Sequence, residues 1–119
     1  MKASVRLELP EPLSLNRAYR TYQGRMLISR EGREYKKAVA WIVAASRHRF
    51  EKTARLKLEI VVHKSSKRRA DLDNCAKLLQ DSLADGGLYV DDSQIDDLHI
   101  VRGEVRKGDG SAIVTVTEI

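Results

Sequence analysis

The aspartates of this chain are concentrated in one segment, and this feature constrains the fold more than any other. Eight of them lie between residues 71 and 97, where Lys77 is the only base, so this segment has a net charge of −7. The remaining 21 bases and 9 acids give the rest of the chain a net charge of +12. A protein that binds an anion gains nothing from clustered aspartates unless a cation lies between them and the anion, as divalent metals do in phosphoryl-transfer sites.

The aspartates of this segment do not all need a functional interpretation. Asp81, Asp85, Asp96 and Asp97 are interpreted as helix caps, turn residues or solvated surface residues. Asp71, Asp73 and Asp92 are the candidate metal ligands.

Length and composition indicate one compact domain over residues 1–119, with 42% hydrophobic residues and a pI near 9.5. No apolar run approaches the roughly 20 residues that cross a bilayer, and the N-terminus is too polar for a signal peptide, so we expect a cytoplasmic protein with no membrane partner. The single cysteine excludes an intrachain disulfide, and we expect it in the core. The three histidines lack zinc-ligand spacing.

The hydrophobic pattern predicts an α+β fold. Residues 4–9 and 54–63 alternate as strands, whereas Pro10 begins a loop that extends to about residue 20. Ser29 is the expected N-cap of a helix that runs to about Arg49, and a second helix runs from near Asp71 to Gly86-Gly87. Residues 98–105 and 112–119 are predicted to form a C-terminal β-hairpin about a turn at 107–110. The prediction is a mostly antiparallel sheet carrying two main helices.

Asp71 and Asp73 form the strongest candidate metal site. They flank the expected start of the second helix, and Mg²⁺ prefers one or two carboxylates with water and substrate phosphate. The third ligand would come from Asp91 or Asp92, after the chain reverses at Gly86-Gly87. An EF-hand calcium loop is excluded, because its remaining required positions would hold Cys75, Ala76 and Ser82.

Several basic and polar residues surround this candidate site in the sequence. Lys77 forms either a surface ion pair or a contact with the scissile phosphate, and we favour the phosphate contact. Asn74 is interpreted either as an ordinary residue of the first helical turn or as a contact to metal or DNA. The basic loop at residues 63–69 leads directly into the aspartates and could position a duplex through its phosphates. A second candidate surface comprises Arg17, Tyr19, Arg20 and Arg25.

Taken together, these residues resemble the RusA family of Holliday junction resolvases. The resemblance rests on the series Asp71-Leu72-Asp73-Asn74, Lys77, Asp81 and Val90-Asp91-Asp92-Ser93-Gln94, after a basic loop. The segment at residues 12–17, the Gly24 turn, Ser29, Gly32 and Tyr35 also fit, so the resemblance covers nearly the whole chain. One departure is Ala70, where the family often has a base; Arg69 is the neighbouring base.

The resemblance implies a homodimer of bacterial, prophage or phage origin that cuts four-way DNA junctions with paired symmetric nicks. It implies Mg²⁺, or Mn²⁺ in its place, held by Asp71, Asp73 and Asp92, with Asp91 as a further metal-site candidate and Lys77 assisting catalysis. The DNA-binding candidates are Asn16, Arg17, Arg20, Lys67, Arg68, Arg69 and Asn74. Two alternatives remain open: a non-catalytic protein that binds branched DNA, and a metal nuclease that acts on forks or flaps.

Overall fold

The fold was analysed in a computed structural model, which describes residues 3–67 and 72–119 and, for Asp73, the backbone alone. The main sheet has four strands in the order β1-β6-β4-β5. They are β1 (Ser4–Pro10), β4 (Leu56–His63), β5 (Ile95–Arg102) and β6 (Ser111–Glu118). A separate two-stranded sheet consists of β2 (Tyr19–Tyr22) and β3 (Arg25–Ile28). The helices are α1 (Leu15–Ala18), α2 (Arg30–Ser46) and α3 (Asp73–Asp85).

One face of the main sheet is buried beneath α2 and α3. On β4 the alternate residues Leu56, Leu58, Ile60 and Val62 are buried, whereas Lys57 and Glu59 on the opposite face remain accessible. Tyr35, Val39 and Val43 from α2 and Cys75, Leu78, Leu79 and Leu83 from α3 complete the core. The α+β class and the burial of Cys75 are therefore confirmed.

The N-terminus of α2 forms as the sequence predicts. The Ser29 hydroxyl accepts a hydrogen bond from the backbone N–H of Gly32 at 3.0 Å, which satisfies one of the free donors of the first helical turn. The helix ends at Ser46, three residues before the predicted end, because Arg47 adopts a left-handed conformation with φ 54°.

The predicted C-terminal hairpin is wrong, because β4 lies between β5 and β6. β4 pairs with β6 in antiparallel orientation and with β5 in parallel orientation. A turn does form near Lys107, but the connecting segment crosses the end of β4, where the Arg106 N–H donates to the Lys64 carbonyl at 2.8 Å. The burial of alternate residues on β6 suits a central strand, whereas the charged residues of β5 suit an edge.

The two remaining connections also position the candidate site. α3 links the parallel strands β4 and β5, as parallel pairing requires a crossover connection. The segment predicted as a loop up to about residue 20 instead contains α1 and the start of β2.

No helix in the described parts of the chain is long and apolar enough to cross a membrane.

Candidate metal and DNA-binding site

The start of α3 carries the central candidate residues. Asp73 is the first residue of the helix, and Lys77 follows one turn later. Leu72 packs against the core immediately before the helix, and the buried Cys75 fixes its rotation. Asp71, Arg68 and Arg69, together with the side chain of Asp73, lie outside the described residues, so their predicted roles stay predictions.

Lys77 lies in a small polar cluster that joins α3 to β2. Its ammonium group is 3.3 Å from the Asp81 carboxylate and 5.8 Å from the centre of the Tyr19 ring. The Tyr19 hydroxyl donates a 2.7 Å hydrogen bond to the same carboxylate. Burial, followed by this hydrogen bond and the negative charge of Asp81, raises the pKa of Tyr19. Lys77 therefore forms the ion pair that was the less favoured of its two interpretations, while half of its side chain remains exposed and the phosphate contact stays a prediction.

Asp91 and Asp92 lie on a tight turn between α3 and β5. Asp92 is exposed and begins a single 3-10 turn, Asp92–Gln94. The Ser93 hydroxyl and nearby backbone N–H groups donate to the Asp91 carboxylate and lower its pKa. Asp91 is therefore engaged in holding the turn, whereas Asp92 points its carboxylate to the surface.

Gln94 fixes this turn to the body of the protein, and the sequence analysis assigned it no such role. Its side chain is almost completely buried. The Oε1 atom accepts hydrogen bonds from the N–H groups of Val90 and Asp91 at 2.8 and 3.1 Å. The Nε2 atom donates to the carbonyls of Glu51 and Ala54 at 2.9 and 3.0 Å. One side chain thus determines where Asp92 lies.

The turn packs beside the middle of α3. The buried Tyr89 hydroxyl donates a 2.8 Å hydrogen bond to the Gln80 carbonyl. Burial raises the pKa of Tyr89, and the charges of Asp92, Asp81 and Asp91, in that order, raise it further. The chain therefore returns to α3 after Gly86-Gly87, at Gln80 in the middle of the helix, whereas its return near the start of the helix stays a prediction. Among the residues described here, no three His, Cys, Asp or Glu side chains are close enough to hold a metal ion.

The other aspartates of the acidic segment contact basic side chains at the surface. The Lys36 ammonium group lies 2.8 Å from the Asp85 carboxylate, and the Nε2 atom of His99 lies 2.7 Å from the Asp97 carboxylate. Asp96 accepts two hydrogen bonds from Arg55, which lower its pKa. The interpretation of these three aspartates as surface residues is confirmed.

Comparison with known proteins decides the family. The sequence profile of the family described as "Endodeoxyribonuclease RusA" matches residues 10–117. The chain is 39% identical over 113 residues to the crossover junction endodeoxyribonuclease of Enterobacteria phage 82, covering 95% of this chain and 93% of that protein. Identity is 37% over 113 residues to the RusA protein of Escherichia coli K12, with the same coverage, and 35% over 111 residues to that of Enterobacteria phage HK97.

The chain belongs to the RusA family. The family resemblance noted in the sequence is thereby confirmed. Membership in this nuclease family implies a divalent metal cofactor.

The RusA chain has a basic groove beside the loop that leads to α3, formed by two segments that meet at the ends of β4 and β5. Two depressions of about 410 and 140 Å³ share Ser66, Lys67 and Val105 in their walls. The backbone bonds from Arg106 to Lys64 and from Gly108 to Ser65 hold the segments together. The groove is lined by Lys64, Ser65, Ser66, Lys67, Arg102, Gly103, Val105 and Lys107.

Sequence reasoning identified only part of this groove. It named Lys67 but missed Arg102 and Lys107, because their approach to Lys67 depends on the parallel pairing of β5 with β4. The remaining DNA-binding candidates are placed elsewhere. Asn16 and Arg17 are exposed on α1, where Arg17 forms an ion pair with Glu31. Arg20 is exposed on β2, and Asn74 is the second residue of α3.

Proposed function

We propose that this chain is a metal-dependent endodeoxyribonuclease that resolves four-way DNA junctions by paired symmetric nicks. The observation that carries the proposal is the RusA match over residues 10–117, since the relatives are named as crossover junction endodeoxyribonucleases. Hydrolysis would break the bond between phosphorus and the 3′ oxygen and leave a 5′ phosphate. We place this activity in DNA recombination and repair, in the cytoplasm of a bacterium or a phage-infected cell.

The metal site of the proposal consists of Asp71, Asp73 and Asp92. A metal ion bound by Asp92 would need further ligands from other parts of the chain. The turn that carries Asp92 packs beside α3, the helix that begins at Asp73. Three carboxylates with open positions for water and phosphate suit Mg²⁺, and Mn²⁺ accepts the same oxygen ligands. A cation bound there supplies a Lewis acid that polarises the scissile phosphate. Asp91 acts on this site by holding the turn, because its oxygens already accept hydrogen bonds.

Lys77 stabilises negative charge on the scissile phosphate in this proposal. Its ammonium group is half exposed, and its contacts with Asp81 and the Tyr19 ring restrict its position. The Asp81 side chain is only 24% exposed and also accepts the hydrogen bond of the Tyr19 hydroxyl, so Asp81 stays in place while the exposed part of Lys77 can reach a phosphate. The basic groove would hold a DNA arm through phosphate contacts, which position the duplex without reading its sequence.

The proposed active form is a homodimer. A four-way junction has two-fold symmetry, and paired symmetric nicks require two active sites related by the same symmetry. A dimer with one metal site per chain meets this requirement.

The test is cleavage of an end-labelled four-way junction in Mg²⁺, with a linear duplex, a fork and a flap alongside. We expect wild-type protein to nick the junction symmetrically and Asp73→Asn to lose cleavage while it retains junction binding. Asp85→Asn is the matched control, because it removes a carboxylate of the same helix that pairs with Lys36 at the surface. It should cut like the wild type.

Three outcomes would contradict the proposal. Tight junction binding without nicks in Mg²⁺ or Mn²⁺ would indicate a non-catalytic binding protein. Preferred cutting of the fork or the flap would indicate a different substrate. Normal cleavage by Asp73→Asn would show that the metal site has been assigned to the wrong residues.

A further inference from the structure

The β2–β3 hairpin exposes large apolar side chains outside the main sheet. Tyr22 is 62% exposed, Met26 59% and Leu27 45%. The hairpin pairs only within itself in the described part of the chain, because its two strands form a sheet of their own. Side chains of this kind, grouped on one exposed element, indicate a binding surface.

The outward face of the hairpin combines an aromatic ring with two cations. Tyr22 lies opposite Arg25, and Arg20 lies opposite Leu27. Because side chains alternate along a strand, these four residues share one face. The opposite face carries Tyr19 and Ile28, which are half-buried against the body of the protein.

Charge on this face favours a polyanionic partner. Residues 19–28 contain two arginines and no acid. Neither Arg20 nor Arg25 forms an ion pair among the described residues. Two guanidinium groups beside an exposed aromatic ring are suited to contact phosphates and to stack on a base.

The hairpin is held rigidly beside the candidate active site. Gln23 and Gly24 both have positive φ, 50° and 75°, as a tight two-residue hairpin turn requires. At its base, the Tyr19 hydroxyl donates to Asp81, the partner of Lys77. Three residues of strand span roughly 10 Å, so Tyr22 lies about that distance from Tyr19 along β2.

We propose that the β2–β3 hairpin is the element that recognises the branch point of the DNA. Tyr22 stacks on a base that has left the helical stack at the junction, and Arg20 and Arg25 contact the flanking phosphates. A continuous duplex offers no such base, because its bases are stacked on one another. The hairpin thereby contributes preference for branched over linear DNA, an inference that rests on the proposed function.

The test measures binding of the full chain to a four-way junction and to a linear duplex of matched sequence, without divalent metal. Fluorescence anisotropy gives the two affinities, and 2-aminopurine beside the branch point reports base stacking. We expect Tyr22→Ala to weaken junction binding about tenfold, within the range for loss of one stacked base, and to change duplex binding less than about twofold. It should also abolish the 2-aminopurine response on binding.

Two variants control the interpretation. Tyr22→Phe keeps the ring and should retain both the affinity and the 2-aminopurine response. Trp41→Ala removes another exposed aromatic side chain, on the outer surface of α2, and should behave like the wild type. Circular dichroism checks that each variant is folded.

The outcomes separate this inference from the proposed function. A wild-type protein without preference for the junction would overturn both. A wild-type preference that Tyr22→Ala retains would overturn the hairpin inference alone. Equal losses on junction and duplex would also overturn it, since the hairpin would then be a general contact. Dissociation of Tyr22→Ala into monomers in sedimentation would assign the hairpin to contact between two copies of the chain.

Discussion

The turn that carries Asp92 depends on the side chain of Gln94, and Gln94→Ala tests this dependence. The substitution removes four hydrogen bonds, two accepted from the Val90 and Asp91 N–H groups and two donated to backbone carbonyls at residues 51 and 54. At about 1 kcal/mol for each bond, the upper estimate is about 4 kcal/mol of the free energy of unfolding. Water can reach the exposed Val90 side of the turn, so we expect a loss of about 3 kcal/mol.

The same estimate gives an expected melting temperature. Unfolding entropy near 2.1 cal/mol/K per residue amounts to about 0.25 kcal/mol/K for this chain. A loss of about 3 kcal/mol therefore lowers the melting temperature by about 12 °C. Below that temperature, Asp92 should be less well positioned, and cleavage of the junction should fall more than binding. Urea denaturation and thermal circular dichroism measure stability, and single-turnover cleavage measures the effect on the site.

Two further variants make the reasoning falsifiable. Gln94→Glu keeps the shape of the side chain but directs an oxygen at the carbonyls of Glu51 and Ala54, so it should be at least as destabilising as Gln94→Ala. Gln80→Ala is the control, because its side chain makes one 3.3 Å bond within its own helix. It should change stability by less than about 0.5 kcal/mol. A loss below about 1 kcal/mol for Gln94→Ala would refute the argument.

Other positions give further predictions. Gly32→Ala should lower the free energy of unfolding by about 2 kcal/mol in urea denaturation, because the added Cβ would lie 2.5 Å from the Ala18 carbonyl oxygen. This loss should exceed the gain from the higher helix propensity of alanine, and unchanged stability would contradict the prediction. Replacing Arg102 and Lys107 together by Gln should lower the slope of log affinity for DNA against log salt by about 1.8, whereas an unchanged slope would exclude the basic groove from phosphate contact. The pKa values of Tyr19, Tyr35 and Tyr89 are raised above the usual value of 10.0. Their neutral forms therefore contribute folding stability that is fully present below pH 10 and is lost as the pH rises through the raised pKa values. Absorbance should show that these tyrosines ionise at higher pH than usual, and simultaneous ionisation of all four tyrosines of the chain near pH 10 would contradict this.

Local chemistry made several elements predictable from the sequence. Ser29 caps α2 through a hydrogen bond to a residue three positions away, and the apolar spacing in α3 determines which face is buried. Both signals lie within one or two helical turns. The end of α3 at Gly86-Gly87 was predictable for the same reason, since glycine readily adopts the positive φ, here 91° at Gly87, that follows many helix ends.

The sequence analysis also missed local elements, since α1 and the start of β2 lie within the predicted loop, but its other errors and omissions concern contacts between distant segments. Residues 98–119 contain two apolar runs about a glycine turn, which is also the local signature of a hairpin, and nothing within that segment shows that β4 lies between them. Gln94 reaches carbonyls about 40 residues earlier in the chain, so its polarity alone suggested an exposed turn. The buried partners of a polar side chain become visible only when the fold brings them together.

The unusual charge distribution is explained by how three of the strands and helices connect. Since β4, α3 and β5 form one parallel crossover, the loop after β4, the start of α3 and the turn before β5 all belong to the same unit. The basic groove forms where β4 and β5 end, and the acidic turn at residues 91–94 packs beside α3. Because β4 and β5 run parallel, the bases that follow β4 and the acids that precede β5 lie at opposite ends of this pair, with eight-residue strands of roughly 23 Å between them. A DNA strand bound by a cation at the acidic turn would have to extend about that distance to be held by the basic groove as well.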